Sequence, residues 1–194
     1  ISLDPSALAD TAYVYPYTFD VNVNVTDVND LFGYEFKLAY DASLLTATSI
    51  TPGAFFPTPN SNPTDGNAWL LKNEINDGLG YVWYAVALDV GTPSGNSGNG
   101  VLATISFSVD PGALGGTILD LFDTFLSDSS GNIIAHEVYD GAFTNKSFIF
   151  GSFTASTTTP DRHEVVYFDA SSSMSLYGGV ITSYLWDFGD YREA

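Results

Sequence analysis

The stretch "YTFDVNVNVTD" alternates without a break. Tyr17, Phe19, Val21, Val23 and Val25 fall on one side, and Thr18, Asp20, Asn22, Asn24 and Thr26 on the other. Successive side chains of an extended strand point to opposite faces, whereas a helix would scatter both sets around its circumference. The segment therefore reads as a strand with one dry and one wet face, the pattern of an antiparallel sheet packed on one side only. "GYEFKLAYD" repeats the pattern, with Tyr34, Phe36, Leu38 and Tyr40 opposed by Glu35, Lys37 and Ala39. "GVLATISFSV" does so again, with Val101, Ala103, Ile105, Phe107 and Val109 against Leu102, Thr104, Ser106 and Ser108.

Segments rich in Pro, Gly, Asn and Ser separate these runs, and both Thr51 to Asn67 and Gly91 to Gly100 read as loops. Helical periodicity amounts to a single turn at most, near Ala42 to Leu45 or Leu121 to Phe125. Short strands divided by such loops predict an all-β sandwich. "YVWYAVAL" is apolar in both parities: Tyr81, Trp83, Ala85 and Ala87 share one face, Val82, Tyr84, Val86 and Leu88 the other. One face is core, and the other is either covered, by the Asn/Pro-rich loop or the second unit, or used for binding.

Charge and composition remove whole classes of function. Acidic residues outnumber basic ones 23 to 5, for a net charge of −18. Binding nucleic acid or anionic lipid would need clustered Lys or Arg to displace counterions, so no nucleic-acid partner is expected. No apolar run approaches a membrane span, and no direct membrane insertion is expected of this segment. The absence of cysteine excludes disulfides, thiolate metal sites and a cysteine nucleophile.

No catalytic constellation emerges. His136 and His163 are the only histidines, each beside a glutamate, and neither lies in a zinc spacing or in HExxH. There is no GxSxG elbow, and paired carboxylates carry little information in so acidic a chain. The chain reads as non-catalytic, with no cofactor and no assigned metal site. The oxygen-bearing candidates for calcium are Asp27, Asn29 and Asp30 in "DVND" and Asp128, Ser130 and Asn132 in "DSSGN". Neither is an EF-hand loop, since "DSSGN" lacks the later acidic ligands, and both read as hairpin turns.

A second unit is expected to begin near Lys146, dividing the chain into residues 1–145 and 146–194. Seventeen acidic and two basic residues give the first part a charge of −15, and the second carries −3. In the second part strands are expected at Phe148 to Ala155, Val165 to Asp169 and Ile181 to Phe188.

Three blocks of the first part, Val21 to Leu45, Gly98 to Val109 and Leu126 to Thr144, resemble a cohesin domain, the jelly-roll β-sandwich that receives dockerins. "VVYFDASSSMSLYGGVITSYLWDFGD", Val165 to Asp190, resembles the start of a PKD domain, an immunoglobulin-like β-sandwich of extracellular proteins. Met174, Leu176 and Tyr191 depart from that family's pattern and count against a metal in the Ser175 to Gly179 turn. The resemblance implies a cohesin-like sandwich followed by the N-terminal half of a PKD domain. The missing strands are expected further along a longer natural chain, from a neighbouring molecule, or not at all if the half-domain packs on the first unit.

The cohesin resemblance implies a surface role, extracellular or at the cell surface, as in archaeal and bacterial scaffolds. The partner is then a protein, or copies of the same chain assembled into a layer or filament. Glu35 falls where cohesins show an acidic contact residue, so Glu35 and Lys37, with Tyr81 and Trp83 on the doubly apolar strand, are the candidate partner-binding residues. Exposed Tyr and Trp also suit stacking on sugar rings, which makes polysaccharide the rival ligand. Asn24 in "NVT" and Asn145 in "NKS" are candidate glycosylation acceptors.

Overall fold

The computed structural model describes residues 1–64, 66–146, 148–176 and 181–186, without the side chains of 148–150 and 176. It divides into two compact units, Ile1–Ala9 with Tyr13–Asn145, and Asp10–Ala12 with Lys146–Ala194. Among the described residues every regular element is a strand.

The first unit holds β1 (Ser2–Asp4), β2 (Ala7–Ala9), β3 (Thr18–Ala39), β4 (Leu45–Pro52), β5 (Pro59–Asn60), β6 (Ala68–Asn76), β7 (Tyr81–Leu88), β8 (Asn96–Val109), β9 (Gly116–Asp128) and β10 (Gly141–Thr144). The 22-residue β3 organises both layers. Its first half pairs with β1 and β8, and β8 pairs in turn with β4. Its second half pairs with β7 on one side and β9 on the other, extending the second layer to β6 and β5 and to β10 and β2. A strand that changes layers must bend, and β3 bends at two bulges where Asp27 (φ 51°) and Asp30 (φ 55°) adopt the left-handed conformation. Aspartate tolerates that region better than most residues. The Asp27 N–H donates to Asn99 Oδ1 at 2.6 Å and the Asp30 N–H to Ser97 Oγ at 2.9 Å, which satisfies the amides the bulges release.

The core lies between the layers and follows the alternation. Val21, Val23, Ile105 and Phe107 from one layer meet Phe36, Leu38, Val82, Tyr84, Val86 and Leu121 from the other, all buried. The doubly apolar β7 thus commits Val82, Tyr84, Val86 and Leu88 to the core and leaves Tyr81 and Trp83 on the outer face, half-buried.

Several sequence expectations are corrected. Asn96 to Gly100 is not loop but the first part of β8, because the displaced β3 backbone at Val25, Val28 and Leu31 gives it a partner. "DVND" is a pair of bulges within β3, not a hairpin turn. Leu121 to Phe125 lies in β9, where Asp123 (φ 47°) adds a bulge that hides the strand period.

The second unit contains β11 (Phe148–Phe150), β12 (Thr154–Ala155), β13 (Phe168–Asp169) and β14 (Met174–Leu176), paired as β11 with β14 and β12 with β13, antiparallel. The expected strand from Phe148 to Ala155 is broken at 151–153, and that from Val165 is reduced to Phe168–Asp169. Residues 181–186 form no strand, and Asp187 and Phe188 of that expected strand lie outside the described residues, as do 177–179 of the Ser175 turn. Phe153, Phe168 and Trp186 form an aromatic cluster with ring centroids 5.4 to 6.3 Å apart.

Candidate functional site

The two outer faces of the sandwich differ in chemistry. On the β4-β8-β3 layer the outward residues are short and polar. Thr104 Oγ1 donates to Asn22 Oδ1 and Ser106 Oγ to Asp20 Oδ1, each at 2.7 Å, while Thr48 and Thr51 hydroxyls donate to carbonyls of β8. This face satisfies itself with hydroxyl and carboxylate groups and presents little apolar area to water.

The outer face of the β9-β3-β7-β6 layer is built around Trp83. Register sets Lys37 of β3 opposite both Trp83 of β7 and Phe122 of β9, and sets Glu74 of β6 opposite Trp83 on its other side. The Trp83 indole N–H donates to Glu35 Oε1 at 2.7 Å. Lys37 Nζ lies 4.6 Å from the Trp83 ring centroid and 5.6 Å from that of Phe122, and Lys72 Nζ from β6 lies 4.4 Å from Trp83. Each ammonium is also paired, Lys37 with Asp123 at 2.9 Å and Lys72 with Glu74. Tyr81 donates its hydroxyl to Glu74 Oε1 at 3.1 Å.

The four residues chosen from the sequence, Glu35, Lys37, Tyr81 and Trp83, therefore share one face and one network. Hydrogen bonding to Asp123 raises the Lys37 pKa, and the Lys72 ammonium, followed by the Tyr81 hydroxyl, lowers that of Glu74. Both shifts favour the charged forms of Lys37 and Glu74.

Sequence reading missed Lys72, Glu74, Asp123, Phe122 and Phe125. Lys37 and Lys72 are the only basic side chains of the first 145 residues, and both lie against one indole. That scarcity was a usable signal. Around the network Phe125 is 40% exposed, Trp69 38% and Ile118 64%, extending an apolar surface along β9 and β6. The β6 segment and the bulged β9 obscure their alternation, which is why these residues escaped notice.

The other candidates fall elsewhere. Asn24 is half-buried on the polar face, with its side-chain oxygen buried and unpartnered. Asn145 is corrected: it is 2% exposed and its amide is fully used. Its Nδ2 donates to the carbonyls of Tyr13 at 3.0 Å and Ala113 at 2.9 Å, and its Oδ1 accepts the Gly115 N–H at 2.9 Å, leaving no amide hydrogen for a glycan in the fold. Ser147 of that sequon lies outside the described residues.

The "DVND" bulges and the "DSSGN" turn meet each other. Asp30 Oδ2 accepts the Ser129 hydroxyl at 2.6 Å, and Asp128 accepts the N–H groups of Ser130 and Asn132 in a tight turn closed by Gly131 (φ 79°). These hydrogen bonds lower both carboxyl pKa values, Asp30 chiefly through Ser129 and Asp128 chiefly through Asn132. His136 is held by Thr124 Oγ1 and the Ile134 carbonyl, both at 2.9 Å. Among the described residues no three His, Cys, Asp or Glu side chains converge as a metal cluster.

A family model of the cohesin domain matches residues 17–150. The chain belongs to the cohesin family. Solved cohesins share its fold at low identity. A non-cellulosomal cohesin from the archaeon Archaeoglobus fulgidus is 18% identical, with a TM-score of 0.51 over 72% of this chain and 85% of that one. The third cohesin of ScaC from Acetivibrio cellulolyticus, solved in complex with the ScaB dockerin, is 19% identical, with a TM-score of 0.56 over 71% and 91%. The seventh ScaB type I cohesin from Pseudobacteroides cellulosolvens is 21% identical, with a TM-score of 0.55 over 82% and 94%. No curated protein sequence gives a significant match.

Proposed function

We propose that this cohesin domain is a non-catalytic protein-docking module of an extracellular or cell-surface assembly, and that a partner protein seats on the outer face of β9-β3-β7-β6. The observation that carries this reading is the contrast between the two outer faces. One is covered by its own hydroxyls and carboxylates, and the other groups Trp83, Phe122, Phe125 and Trp69 around a charged network that is already paired. Docking there buries aromatic area without stranding a charge, the arrangement expected of a binding hot spot. The ScaC cohesin, which shares the fold, was solved with a dockerin. Glu35, Lys37, Tyr81 and Trp83 are the proposed contacts.

The second unit is read as PKD-like on the residues Val165 to Asp190, and it would act as a spacer beside the docking module. Sugar stacking is the weaker reading for Trp83, because ammonium groups from β3 and β6 already lie over its ring.

Calorimetric titration of the chain with dockerin modules tests the proposal, with saturable one-to-one binding as the expected result. Truncating a central aromatic and its neighbour, Trp83→Ala with Lys37→Ala, is expected to weaken binding by at least about tenfold. Asp20→Ala with Asn22→Ala, on the opposite face, leaves binding unchanged. Loss of binding with the second pair and not the first would move the site to the other layer. Self-association in sedimentation that Trp83→Ala abolishes would instead name a second copy as the occupant, and binding only to polysaccharide would overturn the protein-docking reading.

A further inference from the structure

The two Asn-X-Ser/Thr sequons of the chain, Asn24 in "NVT" and Asn145 in "NKS", have opposite environments. At Asn145 the amide nitrogen is spent inside the fold, on the carbonyls of Tyr13 and Ala113. At Asn24 it is uncommitted. The Asn24 side chain makes no hydrogen bond among the described residues, and of its two polar atoms only Oδ1 is both buried and unpartnered. Nδ2, the atom that would carry a sugar, is therefore the end of the carboxamide that reaches solvent. Along the same row of β3 the preceding side chains are engaged, for Asn22 Oδ1 accepts the Thr104 hydroxyl and Asp20 Oδ1 that of Ser106.

Strand geometry supplies the rest of the acceptor. Residues i and i+2 of an extended strand share a face. Asn24 and Thr26 thus both lie on the outer side of the β4-β8-β3 layer, while Val25 between them is 2% exposed and points into the core. Thr26 is exposed, and its hydroxyl makes no hydrogen bond among the described residues. The cross-strand neighbours are small, with Ser2 of β1 opposite Asn24 on one side and Val101 of β8 on the other. Gly100, opposite Val25, adds no side chain. The surface dips there into an open depression of about 280 Å³ bounded by Asn24, Thr26, Asn99, Gly100 and Val101, which leaves room for a first sugar.

We propose that Asn24 is an N-glycosylation site, and that its glycan covers the outer face of β4-β8-β3 while β9-β3-β7-β6 stays free for a partner. The donor is an oligosaccharide joined through its anomeric carbon to a lipid phosphate or diphosphate, which the exporting cell supplies together with the transferase. Nδ2 forms a bond to the anomeric carbon, and the bond from that carbon to the phosphate oxygen breaks. The lipid phosphate leaves with the electron pair, and the carboxamide gives up one proton. β3 is hydrogen-bonded on both edges at Asn24, so transfer precedes folding and the fold then decides which sequon tolerates the sugar. At Asn24 no hydrogen bond is lost, whereas a glycan on Asn145 would break a buried one. The proposal rests on the reading of the domain as an extracellular or cell-surface module, but not on which partner the other face receives.

The test is glycopeptide mass spectrometry of the protein recovered from the cells that make it, and of the chain secreted from yeast. In both, the peptide containing Asn24 is expected to carry a glycan on most folded molecules, and the peptide containing Asn145 none. In the secreted chain Asn24→Gln and Thr26→Ala each remove the added mass, and Thr26→Ser retains it. If Asn24→Gln does not fold, Thr26→Ala, at an exposed hydroxyl, decides. An unmodified Asn24 in yeast, a glycan on Asn145 in folded material, or a glycan on Asn24 confined to aggregated chain would each overturn the site. The two sources separate the failures. Native protein that is extracellular and unmodified at Asn24 overturns the site alone, whereas native protein that is unmodified and intracellular, beside modified yeast material, overturns the surface reading and the proposal with it.

Discussion

The Trp83 indole N–H donates to Glu35 Oε1 at 2.7 Å, joining β7 to the second half of β3 on the outer face of the sandwich. Lys37, two residues from Glu35 on the same face, places its ammonium 4.6 Å from the same ring. The indole is thus fixed in orientation by one acceptor and one cation from a single neighbouring strand. An aromatic anchor held in this way loses little side-chain entropy when a partner seats on it.

Glu35→Ala is expected to release that orientation at small cost to the fold. The half-buried indole N–H can turn to water, so the loss is about 1 kcal/mol. Urea unfolding measures the cost, and Trp fluorescence anisotropy of a variant with Trp69 and Trp186 replaced by Phe reports the freed ring. A loss above about 3 kcal/mol would show that the bond supports the core and not merely the surface.

Asn145→Ala is expected to destabilise the first unit by about 2 to 4 kcal/mol, because it leaves the carbonyls of Tyr13 and Ala113 and the Gly115 N–H without partners in a buried position. The check is denaturant unfolding of Asn145→Ala against Asn24→Ala, whose half-buried site predicts a smaller change. Equal effects at the two positions would refute the assignment of Asn145 as an anchor.

The two layers and the core parity were legible because Phe19 to Val25, Tyr34 to Leu38 and Ala103 to Val109 alternate strictly, and burial followed that alternation. What a period of two does not encode is a change of layer. The bulges at Asp27 and Asp30 shift the register of β3, and Asp123 does the same in β9, so "DVND" looked like a turn and the β9 aromatics went unseen. Glu35, Lys37, Tyr81 and Trp83 were legible as neighbours on one face because β3 and β7 alternate cleanly. Lys72 and Glu74 were not, since the shift between Leu70 and Lys72 interrupts the pattern of β6. Asn145 misled because a sequon is a local signal, whereas burial is set by the distant backbone of Tyr13 and Ala113.

Phe107→Ala is expected to cost about 3 to 5 kcal/mol, the range for deleting a fully buried aromatic ring. Phe107 has no exposed area, and its ring centroid lies 5.4 Å from Phe19 and 5.1 Å from Tyr40, so the cavity opens where the first half of β3 meets its continuation. Thermal unfolding followed by circular dichroism measures the loss. A cost under about 1 kcal/mol would imply that the two layers collapse onto the void.

Asp30 gives a pH-dependent prediction whose sign follows from its hydrogen bonds. The Ser129 hydroxyl and then the Gly95 N–H donate to its carboxylate and hold its pKa below the ordinary value. A carboxyl depressed in the folded state contributes stability that is fully present above its unfolded pKa of about 3.9 and is lost as pH falls through the folded value. Asp30→Asn removes that contribution, so the variant should be less stable than the parent at neutral pH and converge with it below about pH 3. The comparison must be the difference between the two proteins at each pH, because protonating a chain of net charge −18 also relieves repulsion across the whole molecule. Gly95→Ala probes the same contact by geometry, since an added Cβ would stand 2.4 Å from the Asp30 carbonyl carbon and oxygen and push the bulge away from β8. If urea midpoints of parent and Asp30→Asn run parallel from pH 7 to pH 3, the Asp30 carboxylate does not hold the bend that carries β3 from one layer to the other.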